Sequence, residues 1–373
     1  MEKQLLNSEI KVNKIEDLKI RYTILIIGID LLKFVAMINI INLHINVHCS
    51  FLKLNKNNPK YKQIYRLEVF SFWPVDAFGI ISGIVGFKKY KLANVIYIWF
   101  IYSFYSVFFS LYLFYKSLLP FRHFILSFFP LLIRRNWYIN AYILMYLFLP
   151  FINESINILD KGLYNIIILL FFLIYSIYHI INIYINNIQD YNFILRGYSS
   201  LWLLILYIVG GYIGRFYLNK QFLSNLNFIL IYLITSFISS EFIFYNSQIN
   251  KFSTKLVLEY NSPTIIIQAL SLIFFFSNLK LKNKYIIKGI LFLNPLNLSV
   301  YLIHTRIFVF NIPILRKLFE YIKSFTPKYL FFKIYGISLL IYFIFAFMDY
   351  FRFLLFKVLK IRNISNYIGK IIN

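Results

Sequence analysis

The sequence predicts an all-α, polytopic integral membrane protein with about ten transmembrane helices. Its 373 residues are 60% hydrophobic, 21% aromatic and only 14% charged, with a mean hydropathy of +0.69. No single soluble core takes up that much apolar surface. Apolar runs near the roughly 20 residues that a bilayer demands recur along the whole chain. The 39 basic residues behind the net charge of +25 fall mainly in the short polar gaps between those runs. Such placement belongs to loops beside anionic headgroups and argues against nucleic acid as a partner. The single cysteine, Cys49, excludes an internal disulfide framework and a cysteine-rich zinc site.

Residues 1–21 mix Lys3, Lys11, Lys14, Lys19 and Arg21 with Glu2, Glu9, Glu16 and Asp17. Without the compact apolar core of a signal peptide, they are expected to form a cytoplasmic leader. The first span, 24–47, lies in the run IIGIDLLKFVAMINIINLHINVHC, where Asp30, Lys33 and His44 interrupt the apolar residues. At about 100° per residue, the step from Lys33 to His44 is close to three turns and sets both on one stripe, roughly 16 Å apart. Asp30 lies one turn before Lys33. Ionisable groups at this depth are costly unless paired or hydrated, which makes the stripe a functional-site hypothesis.

The second span, 69–87, carries VDAFGIISGIVGF. Its small residues at 79, 82, 83 and 86 predict close approach of a neighbouring helix. Asp76 in the same run needs a cation or water, and Lys33 and His44 are the candidates. The third span, 92–115, is apolar and aromatic. The fourth, 137–152, is short and follows Arg134 and Arg135. Trp137 and Tyr138 beside those arginines fit an interfacial aromatic belt, or a site where guanidinium forks meet phosphate and rings meet a sugar.

The fifth span, 163–185, is apolar, and the sixth, 199–217, gathers Arg196, Tyr198, Ser199 and Trp202 at its start, with Gly210, Gly211 and Gly214 further along. The seventh and eighth cover 228–245 and 264–278, the latter short. In the ninth, 286–312, His304 and Arg306 break an apolar run after Pro295, and neither belongs in lipid without cause. The tenth covers 329–356, ahead of a basic tail over 358–373, so 22–357 is expected to be one membrane domain. An even number of spans puts both termini on one side, and a small excess of Lys and Arg there favours the cytoplasm. His44 and His48 stand one turn apart, but no Glu or third His accompanies them, so no metal is expected. His123 and His179 read as loop or interface residues.

Taken together, these residues resemble the acyltransferase type 3 family, multi-span membrane proteins that acylate sugar hydroxyls on bacterial surface polysaccharides. Asp30, Lys33 and His44 are similar to the acid, base and histidine of the family's first helix, with Lys33 where arginine is usual. Val75, Asp76, Ala77, Phe78, Ser82 and Gly83 resemble its second-helix pattern. Asn136, Trp137, Tyr138, Tyr142, Tyr146, Leu149 and Pro150 are similar to its Trp-Tyr helix that ends in Leu-Pro. Gly197, Tyr198, Ser199, Trp202, Tyr207, Gly210 and Tyr212 resemble a block seen especially in exopolysaccharide and capsule modifying members. Ser262, Pro263 and Gln268 match the start of a later helix, and Tyr301, Leu302, Ile303 and His304 resemble the terminal Tyr-x-x-His signature.

The resemblance implies transfer of an acyl group, usually acetyl, from cytoplasmic acetyl-CoA as co-substrate to a hydroxyl of a glycan or lipid-linked glycan. His44 is then expected to act as general base or acyl carrier, with Asp30 or Asp76 orienting its ring. Lys33 is expected to bind a CoA phosphate or stabilise the oxyanion. Arg134, Arg135, Trp137, Tyr138, Arg196 and Trp202 are candidates for holding donor or acceptor. Ser82, Tyr198, His304 and Arg306 complete the expected binding residues. Membrane lipid is an expected partner, a homodimer is left open, and the expected location is the bacterial inner membrane. The rival reading is a non-enzymatic carrier or flippase for lipid-linked saccharide, in which the same charges mark a translocation path.

Overall fold

The computed structural model describes residues 2–86, 91–133, 136–186, 194–217, 222–249, 256–306 and 313–372, and the described residues are all-α. Helix α1 (Glu2–His48) runs unbroken from the charged leader through the first span. The second span forms two helices, α2 (Tyr61–Ser71) and α3 (Pro74–Gly86), and begins earlier than hydropathy suggests. Pro74 has no N–H for the Phe70 carbonyl one turn back, so the helix breaks there. Trp73 Nε1 and Tyr232 Oη donate to that carbonyl instead, at 3.1 and 2.8 Å.

Helix α4 (Leu92–Tyr115) is the third span. The short helices α5 (Phe121–Leu126) and α6 (Pro130–Ile133) precede α7 (Trp137–Ile158). The expectation that α7 ends near residue 152 is corrected, since the helix passes through Pro150 and reaches Ile158. A proline is tolerated inside a membrane helix because neighbouring groups take up the carbonyl that it leaves.

Helices α8 (Lys161–Phe172) and α9 (Tyr178–Asn186) join through a π-helical turn, Leu173–Ile177. In that turn Asn261 Nδ2 donates to the Tyr175 carbonyl at 2.9 Å. Helices α10 (Ser200–Phe216), α11 (Asn225–Ile249) and α12 (Pro263–Ser277) follow. The ninth span breaks at Pro295 into α13 (Lys284–Leu293) and α14 (Asn297–His304). Helices α15 (Pro313–Ser324), α16 (Leu330–Val358) and α17 (Ile361–Ile372) complete the chain. The segment read as a basic tail is thus largely helical, and α17 packs on α4.

Eight segments among the described residues are long and apolar enough to cross a membrane; α10 and α12 are shorter apolar helices. Both are lined with buried residues on the sides that face their neighbours, α10 against α3 and α7, α12 against α1, α3 and α11. On the periphery Phe148, Phe151, Phe237 and Phe347 are exposed. Rings spread this way over a surface are adverse in water and ordinary against acyl chains.

The small-residue stripe of α3 meets that of α10. A Cβ on Gly83 would lie 2.0 Å from the Tyr207 carbonyl oxygen, and one on Gly210 would lie 2.0 Å from that of Ile80. Gly210→Val therefore forces the two backbones apart at a site with no flexible side chain to yield. The expected cost is at the upper end of the about 1–3 kcal/mol of overpacking, read as a lowered midpoint of thermal unfolding in detergent.

Helix α1 lies at the centre, against α2, α3, α12, α13, α14 and α16. One of its faces is a ladder of asparagines at helical spacing. Asn39 accepts from Tyr335 at 2.6 Å, Asn42 accepts from Ser338 at 2.5 Å and donates to Ser71 at 3.3 Å, and Asn46 donates to Glu68 at 2.7 Å. Inter-helix hydrogen bonds of this kind contribute about 0.6 kcal/mol each in a membrane and fix how α1 is rotated. That rotation decides which residues of α1 face the interior.

Candidate active site

The face of α1 away from the asparagine ladder lines a cavity of about 620 Å³, within the usual size range of small-molecule sites. Lys33, Met37, Ile40 and His44 contribute to it from α1, at the spacing that the helical period dictates. Ser82 lines it from α3, Trp137, Tyr138, Tyr142 and Tyr146 from α7, and Asn297 and Tyr301 from α14. The cavity has two ends with different chemistry.

At one end the ring of His44 lies 4.9 Å, centroid to centroid, from that of His304. His304 is fully buried, and its Nδ1 is 2.6 Å from the Val300 carbonyl oxygen. A carbonyl only accepts, so Nδ1 of His304 carries the proton and Nε2 presents a lone pair. That Nε2 and the Nδ1 of His44 are buried without a hydrogen-bond partner. Tyr301 meets His304 edge-on, and Tyr138 meets Tyr301 edge-on. Asn136 Nδ2 donates to Thr305 Oγ1 at 2.7 Å and ties the start of α7 to the end of α14.

Aromatic rings cover this end. Trp137 packs against Tyr198 at 4.7 Å and Tyr260 at 5.8 Å, and Tyr260 also stacks on Phe72 at 4.7 Å. Burial raises the Tyr260 hydroxyl well above its ordinary range, so it stays protonated, hydrogen-bonded to Tyr198. Arg196 does not line the cavity. It lies 3.5 Å from Glu259, whose other oxygen is 2.7 Å from His179 Nε2. His179, expected in a loop or at an interface, is thus a buried residue of α9, within hydrogen-bond distance of the Glu259 carboxylate that Arg196 pairs with, next in sequence to Tyr260.

The other end is cationic. Lys33 pairs with Asp30 at 3.0 Å and still lines the cavity. Tyr146, eight residues and about 12 Å further along α7 than Tyr138, donates to the Lys91 carbonyl at 3.1 Å. Lys91, Asn94 and Arg362 line this end, and Arg362 Nη2 donates to Asn94 Oδ1 at 2.6 Å. Among the described lining residues are three cations and no carboxylate.

Asp76 departs from its expected pairing with Lys33 or His44. It is fully buried, and its Oδ1 accepts from Trp202 Nε1 at 3.0 Å. The close α3–α10 contact brings that indole to the carboxylate, while Lys33 is engaged one turn away by Asp30. Trp202 therefore acts on Asp76 rather than on the cavity wall. Ser82 donates to its own helix at Phe78 O, 2.8 Å away, and faces the cavity. Arg306 is buried with its guanidinium 5.9 Å from the Phe109 ring centre, apart from the lining. Arg134 and Arg135 lie outside the described residues. Among the described residues no three His, Cys, Asp or Glu side chains converge as a metal site requires.

Sequence reasoning set His44 with Asp30 and Lys33 and treated His304 separately, because nothing local links residues 260 positions apart. It also passed over Asn94 and Arg362, loop-flanking residues with no motif of their own. The asparagine ladder at 39, 42 and 46 was detectable by the same spacing argument that found Lys33 and His44.

A family model of the type 3 acyltransferase domain matches residues 26–348, which include both histidines and, apart from Leu25 and the end of α16, the described membrane-crossing segments. No curated protein and no solved structure matches the chain. The apolar helices, the two-ended cavity and this match agree, and the chain belongs to the acyltransferase type 3 family as an integral membrane acyltransferase.

Proposed function

We propose that the protein transfers an acyl group, acetyl in the simplest case, from acyl-CoA to a hydroxyl of a cell-surface glycan or its lipid-linked precursor. The observation that carries this reading is the polarity of the cavity. Its three cations sit at one end, and the His44 imidazole sits at the other under an aromatic cover, with the His304 ring packed 4.9 Å from it. Acyl-CoA has matching polarity, with a phosphate-rich head, a long neutral arm and a thioester at its tip. The roughly 16 Å of α1 between Lys33 and His44 supports this orientation.

His44 accepts the proton of the attacking hydroxyl as its oxygen bonds to the thioester carbonyl carbon. The carbon–sulfur bond then breaks, and the imidazolium returns its proton to the leaving thiolate. If His44 instead carries the acyl group, its ring nitrogen bonds to the carbonyl carbon as the carbon–sulfur bond breaks and the ring proton passes to the leaving thiolate. The hydroxyl oxygen then bonds to that carbon, the carbon–nitrogen bond breaks and the hydroxyl proton returns to the imidazole. His304 Nε2, with its lone pair fixed by the Nδ1–H bond to Val300, is a second acceptor beside the His44 ring. Trp137, Tyr198 and Tyr260 offer ring faces to a sugar. In this reading the cationic end and both termini face the cytoplasm of a bacterial inner membrane, where acyl-CoA is available.

A carrier for lipid-linked saccharide needs polar lining but no paired imidazoles at one end. The test compares glycan from cells that make the protein with glycan from cells that lack it. Loss of ester-linked acyl groups with unchanged polymer export is the expected result. Unchanged acyl content overturns the enzyme reading, and loss of export with acyl content intact favours the carrier.

A further inference from the structure

The family match ends at residue 348, yet the cavity does not. Part of its cationic end comes from Arg362, on the terminal helix α17. Three features hold that side chain in place. Its Nη2 donates to Asn94 Oδ1 at 2.6 Å, its guanidinium lies 5.2 Å from the Tyr97 ring centre, and α17 packs along the start of α4. Lys360, between α16 and α17, adopts a positive φ of 51°, which turns the chain sharply enough to bring α17 back beneath the bundle. Lys33, the deeper cation, already shares its charge with Asp30, and no carboxylate among the described lining residues offsets Lys91 or Arg362.

We infer that Arg362 is a phosphate anchor for the donor, so that α17 completes the donor-binding end of the site. This rests on acyl-CoA as the donor. A guanidinium presents five N–H donors in a fixed fork, and the bond to Asn94 occupies one edge while leaving others for a phosphate oxygen. Asn94 acts as a positioning residue that aims the fork across the mouth. The assignment gives α17 a role in substrate specificity: it selects thioesters with a phosphorylated head over those without.

The test is binding by calorimetry to the full chain in lipid nanodiscs, with CoA and pantetheine as probes. Arg362→Ala is expected to weaken CoA binding about tenfold, as loss of a charge-assisted contact at a solvated mouth implies, and to leave pantetheine binding unchanged. Arg362→Lys, which keeps charge without the fork, falls between. Equal CoA affinity in wild type and Arg362→Ala overturns the assignment while leaving the donor reading intact. Equal weakening of CoA and pantetheine overturns it in favour of a structural role for α17. A wild-type protein that binds neither probe removes the acyl-CoA reading itself, and the inference with it.

Discussion

Membranes carrying His44→Ala are expected to transfer acyl groups about 10²- to 10⁴-fold more slowly than wild type, the usual contribution of a positioned base. The measurement is the rate of ester formation on glycan, normalised to the amount of protein in the membrane. CoA binding at the cationic end is expected to survive, because Lys33 and Arg362 are far along the cavity from His44. His304 provides a companion test. His304→Asn keeps an N–H donor for the Val300 carbonyl, 2.6 Å from the present Nδ1, but deletes the position of Nε2. A comparable loss of rate in this variant assigns the second imidazole to the chemistry. Full activity makes its role structural and leaves His44 to act alone.

Removing Arg352 is expected to produce the largest loss of stability. Asp349 is fully buried on α16, and Arg352 one turn later donates to it twice, Nε at 2.7 Å and Nη2 at 2.6 Å. Tyr105 donates to the same carboxylate at 2.5 Å, and Arg352 Nη2 also reaches Ser299 Oγ at 3.2 Å. These contacts tie α16 to α4 and α14. Arg352→Met leaves a carboxylate in the bundle interior without its countercharge, which costs about 3–5 kcal/mol. Thermal unfolding in detergent measures it. The double variant Asp349→Leu with Arg352→Met is expected to regain most of the loss, because a buried pair replaced whole leaves no orphaned charge. A double variant as unstable as the single one would show that packing of the arginine stem, rather than the charge, is what matters.

Each element of this fold was legible to a different degree. Hydropathy located the spans because the cost of placing polar backbone and side chains in lipid is set residue by residue. The period of the α-helix put Lys33 and His44 on one stripe, and the stripe lines the cavity. The small-residue spacing of α3 foretold a close neighbour without naming α10. The apolar run that set the end of the fourth span near residue 152 stops short of the helix, since α7 continues through the polar residues Asn153, Glu154 and Ser155 to Ile158. Arg362 was invisible as a site residue because a terminal basic helix reads the same whether it floats on the membrane or closes a cavity.

By itself, then, the sequence determined that this chain lives in a bilayer as a bundle of helices with ionisable groups turned inward. Those properties depend on near neighbours along the chain and on the solvent around each segment. Only the tertiary structure decided that His44 meets His304, that Asp76 accepts from Trp202 126 positions away, and that Arg362 reaches Asn94 across 268. The reason is that many arrangements of these helices bury similar apolar area. Close-packed glycines and the asparagine ladder of α1 select one of them, and contacts distant in sequence exist only once that choice is made.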